Sequence, residues 1–127
     1  LTHVSDVMRS GDAVPRVSPT AGITELMRAM SNQGFGAAAV MDDTGRAAGI
    51  FTDGDLRRLI EAGADLRTPT AADVMHRNPR TVRSDALAVE AAELMEQHGI
   101  TRLFVVDAEG RLTGALNTTD LMRAKVI

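Results

Sequence analysis

The sequence contains no cysteine, no tryptophan and no tyrosine, and its only aromatic side chains are Phe35, Phe51 and Phe104. Without cysteine there is no disulfide, no thiolate metal site and no cysteine nucleophile. So few aromatics leave almost no platform on which unpaired bases could stack. A net charge of −3 gives no electrostatic reason to expect a nucleic-acid partner. No apolar run approaches the roughly 20 residues of a membrane span, and no charged-then-apolar leader is present. The expectation is a cytoplasmic protein without a membrane partner. The chain starts at Leu1 rather than methionine and reads as a piece of a longer protein. His3, His76 and His98 are not at ligand spacing, so no metal is expected. Lysine is scarce too: Lys125 stands alone among many arginines. Arginine forms planar, bidentate contacts with phosphate and carboxylate, although arginine-rich codon usage would leave the same imprint.

What is present is a duplication. Ala29 to Arg58 aligns with Leu94 to Arg123 at a constant offset, with identities at Met30/Met95, Gly34/Gly99, Val40/Val105, Asp42/Asp107, Gly45/Gly110, Arg46/Arg111, Gly49/Gly114, Asp55/Asp120, Leu56/Leu121 and Arg58/Arg123. Upstream, Ser5-Asp6-Val7-Met8 matches Ala72-Asp73-Val74-Met75. The repeats divide the chain into residues 1–66 and 67–127. A duplicated unit implies a pseudo-two-fold body with a seam where ligands can sit.

Each copy has the same order of elements. Ile23, Leu26, Met27 and Met30 are spaced as one face of an amphipathic helix, which Gly34 is expected to end. Ala37 to Met41 and Ala47 to Phe51 read as a hairpin around Asp42-Asp43-Thr44-Gly45. A helix follows from Thr52, its buried face expected at Leu56, Leu59 and Ile60. In the second copy Leu87, Ala91, Leu94 and Met95 form the first helix face. Leu103 to Val106 and Leu112 to Leu116 are its strands, and the last helix starts near Thr118 with Leu121 and Met122. Most methionines lie on these faces and are expected in the core. The fold class is α+β: two βαββα repeats packed with pseudo-two-fold symmetry.

The sharpest local pattern is Gly49-Ile-Phe-Thr-Asp-Gly-Asp-Leu-Arg-Arg58, echoed by Gly114-Ala-Leu-Asn-Thr-Thr-Asp-Leu-Met-Arg123. Thr-x-x-Asp and Asn-x-x-Asp before an apolar run are helix-capping patterns, and capping alone would account for them. A helix start at a strand end is also an anion site. There Thr52 could hold a phosphate oxygen, Asp55 could accept from two ribose hydroxyls, and Arg57, Arg58 and Arg123 could screen phosphate charge. No catalytic Ser/His/Asp order, Walker-type loop or paired-carboxylate pocket emerges.

The duplication, the leading Asp-Val-Met and the G-h-h-T-x-x-D signature together resemble a tandem pair of CBS domains, a Bateman module, over essentially the whole chain. The resemblance implies that Thr52 and Asp55 contact the ribose and phosphates of a nucleotide in the cleft between repeats. It carries over to Asp120, whereas Asn117 replaces the threonine and weakens the second site. Asp53, Arg58, His76, Arg102, Thr118 and Arg123 complete the expected ligand-binding set with Thr52, Asp55, Asn117 and Asp120. His76 follows the second Asp-Val-Met, and Arg102 stands where the first copy has Ala37.

Gly49 to Arg58, the opening Val4-Ser-Asp-Val-Met-Arg-Ser-Gly-Asp12 and the close Asp120-Leu-Met-Arg-Ala124 are also similar to the C-terminal part of bacterial arabinose 5-phosphate isomerases, in which a sugar-isomerase (SIS) domain precedes the CBS pair. This implies a regulatory fragment, not itself an enzyme. Its partners would be an N-terminal SIS catalytic domain and other copies of itself, as a homo-oligomer. No cofactor is required. The favoured ligand is CMP-Kdo, the sugar nucleotide used to build lipopolysaccharide, with AMP or ATP as the alternative. A ligand-free dimerisation module is the structural rival.

Overall fold

The computed structural model describes residues 1–127 and divides into two compact units, Pro15–Pro79 and the pairing of Leu1–Val14 with Arg80–Ile127. These units are not the sequence repeats. Each combines the body of one repeat with the leading segment of the other.

In chain order the elements are α1 (Val4–Val7), β1 (Arg16–Val17), α2 (Ile23–Met30), β2 (Ala37–Met41), β3 (Ala47–Thr52), α3 (Asp53–Glu61), α4 (Ala71–Val74), β4 (His76–Arg77), β5 (Thr81–Arg83), α5 (Ala88–His98), β6 (Arg102–Val106), β7 (Leu112–Asn117) and α6 (Thr118–Arg123). The body of each repeat thus runs β-α-β-β-α, the mixed α+β arrangement expected.

The Pro15–Pro79 unit has a sheet of order β1-β2-β3-β4. β1 is parallel to β2, and β2-β3 is an antiparallel hairpin with a register shift at Val40/Met41. Gly45, at φ 84°, turns the hairpin, and the Asp42 carboxylate accepts from the Thr44 and Arg46 N–H groups. Ala38, Val40 and Phe51 face Ile23, Leu26 and Met30 in one apolar cluster, which also takes in Ala71 from the leading segment of the second repeat. Ala71 N–H donates to Ala21 O at 2.7 Å, and β4 joins the sheet through Gly49↔Arg77 and Ile50↔His76.

The other unit repeats this plan. β5-β6-β7 has the same parallel and antiparallel pairings, and its hairpin shifts register at Val105/Val106. Leu103, Val105, Leu116 and Leu121 pack with Ala88, Ala91 and Met95, and Val4 enters this cluster where Ala71 enters the first. Val4 N–H donates to Ala86 O at 2.8 Å, and Arg9 exchanges backbone hydrogen bonds with Ala115.

The close approach of each leading segment requires a glycine. A Cβ on Gly49 would lie 2.7 Å from His76 O and against the Met75 thioether, and one on Gly114 would lie 2.9 Å from Arg9 O and against that of Met8. The repeated Gly49/Gly114 identity is therefore a packing requirement as well as part of a signature.

Four expectations are corrected. Ile60, Met27 and Met122 are exposed rather than buried, Ile60 by 59%. Each short helix lies on one face of a small sheet, and only a narrow stripe reaches it: Leu56 and Leu59 on α3, Ile23, Leu26 and Met30 on α2. α2 also ends at Met30, not Gly34. The chain then makes one 3₁₀ turn, Asn32–Gly34, with Gln33 at φ 50° and Gly34 at φ 68°. In the second copy Gly99 itself caps α5 in the left-handed conformation.

Candidate functional site

Both expected corners form where a strand runs into a helix, and in both the capping pattern is realised. At the first corner Thr52 is the N-cap of α3. Its Oγ1 accepts from the Asp55 N–H at 3.3 Å, and its own N–H donates to Asp55 Oδ2 at 2.9 Å. These bonds satisfy orphan donors of the helix start. Asp55 is 5% exposed, the one buried charged residue of the chain.

An arginine and a histidine converge on its other oxygen. Arg58 Nη2 donates to Oδ1 at 2.6 Å from one turn along the helix, and His76 Nε2 lies 2.6 Å from the same oxygen, reaching it from β4. The Asp55 side chain is buried, but those of Arg58 and His76 are 62% and 66% exposed. Burial pushes the Asp55 carboxyl up. The bonds from Arg58, the Thr52 backbone and His76 outweigh that and hold it below the ordinary carboxylate value. Arg58 folds back over Gly54, where a Cβ would lie 3.4 Å from both of its Nη atoms. Asp53, the first residue of α3, is exposed.

At the second corner Asn117 replaces Thr52 as the N-cap. Its Oδ1 accepts from the Asp120 N–H at 2.8 Å, and its N–H donates to Asp120 Oδ2 at 3.1 Å. The cation on Asp120 is one the sequence reading did not include. Arg9 Nε donates to Oδ2 at 3.1 Å and Nη2 to Oδ1 at 3.3 Å, with the two side chains only 12% and 11% exposed. Arg123, the counterpart of Arg58, is exposed and forms no ion pair with Asp120. Thr119 stands where the first copy has Gly54.

Of the other expected residues, Arg102 is half-buried at the start of β6, in register with Asn117. Thr118 lines an apolar groove of about 690 Å³ with Met95, Ile100, Leu121 and Val126. His76 and Arg9 are equivalent: each follows an Asp-Val-Met and faces the strand before its corner. A sequence signal for Arg9 therefore existed, one residue beyond the aligned Met8/Met75.

Residues 4–62 and 71–127 each match the sequence model of the CBS domain family. Over all 127 residues the chain is 45% identical to the arabinose 5-phosphate isomerase KdsD of Pseudomonas aeruginosa and 40% identical to that of Escherichia coli K12. It spans 39% and 38% of the length of those two proteins. Among solved structures it is similar to CBSX2 from Arabidopsis thaliana in complex with AMP, at TM-score 0.84 and 25% identity, covering 99% of this chain and 97% of that one. The CBS domain pair of MJ0100, solved with 5′-methylthioadenosine and S-adenosyl-L-methionine, shares the fold at TM-score 0.85 and 21% identity, with the same coverage. Two family matches spanning the repeats, on two bodies of the same β-α-β-β-α plan, make this chain a member of the CBS domain family, a tandem CBS pair matching the C-terminal part of arabinose 5-phosphate isomerases.

Proposed function

We propose that this CBS pair is the ligand-sensing regulatory part of a cytoplasmic arabinose 5-phosphate isomerase, and that it binds a nucleotide or sugar nucleotide. The carrying observation is the Asp55 corner, a buried carboxylate capped by a threonine and flanked by two exposed nitrogen-bearing heads, the Arg58 guanidinium and the His76 imidazole. A ribose diol can donate to the carboxylate while the displaced Arg58 turns to a phosphate, with Thr52 Oγ1 and the α3 helix start beside it. CMP-Kdo offers a ribose, a phosphate and a further carboxylate for arginine, and it is the end product of the lipopolysaccharide branch such an isomerase feeds. The ligand would bind one arrangement of the repeats better than another and bias an attached SIS catalytic domain within a homo-oligomer.

AMP or ATP is the second reading, favoured by the 25% identical CBSX2, solved with AMP. Calorimetry with CMP-Kdo, CMP, AMP and ATP discriminates these. Tightest binding of CMP-Kdo, lost in Arg58→Ala, is the expected result. Heat from adenosine nucleotides alone would favour an adenylate sensor. Silence with all four would leave a ligand-free dimerisation module. The chain has no Trp or Tyr, so a nucleotide carried through purification would dominate its absorbance near 260 nm.

A further inference from the structure

Building on the nucleotide reading above, we propose that Arg9 stands in for a ligand at the second corner, so that each chain takes one nucleotide and takes it at Asp55. A carboxylate has about four acceptor positions, and each corner aspartate already receives three protein donors. At Asp55 these are the Thr52 N–H, Arg58 Nη2 and His76 Nε2. At Asp120 they are the Asn117 N–H, Arg9 Nε and Arg9 Nη2. The donor count is equal, and the difference lies in what can be exchanged.

Arg58 and His76 end in water, crowd a single oxygen and can be displaced one at a time. Each keeps its hydration when it leaves. Arg9 is one rigid fork on both oxygens of Asp120, with both partners about nine-tenths buried. A diol would have to break both bonds together and part a largely buried guanidinium from Asp120. Arg9 is also tied down on its backbone, donating to Ala115 O and accepting from Ala115 N–H. The surroundings favour the same division. Arg123 is exposed and forms no ion pair with Asp120, and the groove beside Thr118 is lined by Glu93 and Glu96 and by no arginine or lysine.

The test uses the whole chain with AMP as the probe, by calorimetry and native mass spectrometry, together with amide exchange at Arg9 and Ala115. One AMP per chain is expected, with binding weakened more than tenfold in Arg58→Ala. Arg9→Gln and Asp120→Asn should keep the affinity within roughly threefold, while their Arg9 and Ala115 amides exchange faster. Two AMP per chain, or a tenfold affinity loss in Arg9→Gln or Asp120→Asn, would overturn the inference and leave the nucleotide reading standing. No binding of AMP or any other nucleotide to the wild-type chain would overturn both.

Discussion

The two corners share a backbone plan and differ in who holds the aspartate. Asp55 is held by an exposed histidine and an exposed arginine from its own helix, Asp120 by a single largely buried arginine from the leading segment of the first repeat. The helix arginine folds back over Gly54 at the first corner and stays clear of Asp120 at the second, and His76 against Arg9 distinguishes how the leading segment grips. Duplication preserved the capping hydrogen bonds, which the fold needs in both places. It released the outer donors, which the fold needs in only one. A corner whose partners face water can respond to a ligand. A corner whose partners are buried serves cohesion.

The largest effect should come from breaking the buried pair. Asp120→Ala removes the carboxylate on which Arg9 is forked and should cost about 3–5 kcal/mol, read from denaturant unfolding. Asp55→Ala should cost less, about 1–3 kcal/mol, because Arg58 and His76 recover water. Equal losses would erase the contrast between the corners. Next come Gly49→Ala and Gly114→Ala, which press a Cβ onto the carbonyls of His76 and Arg9. About 1–3 kcal/mol is expected for each, and similar values would show that the scaffold under the two corners is shared. Arg58→Ala should change stability by less than about 1 kcal/mol while weakening nucleotide binding, which separates a ligand group from a structural one.

The smallest effect is in acid. Asp55 has a depressed pKa in the folded chain, so its contribution is present above the ordinary carboxylate value, about 3.9, and fades as pH falls through the lower folded value. Asp55→Asn should therefore flatten the acid limb of the stability profile, measured by thermal melts between pH 2 and 6.

Much of this was legible because the repeat writes each corner twice. Gly49/Gly114, Asp55/Asp120 and Arg58/Arg123 stand out by coincidence of position, and Thr52 and Asn117 follow from capping chemistry. His76 was legible from its place after Asp-Val-Met. Arg9 holds the matching place one residue beyond Met8, but only the fold shows that each leading segment joins the other body, Arg9 the second and His76 the first. The exposed Ile60, Met27 and Met122 escaped for another reason. Helical spacing defines a face but not its width, and a three- or four-stranded sheet covers a narrow one.

The pairing of Leu1–Val14 with Arg80–Ile127 sets an order of events in the making of the protein. As the pair leaves the ribosome, residues 15–79 are the first of its two units to be complete and can close on themselves. The opening fourteen residues, although synthesised earlier, must wait with Val4 uncovered and Arg9 unmatched until β7 and Asp120 arrive. Within the pair the earlier segment is therefore settled last, and its docking marks completion of the pair.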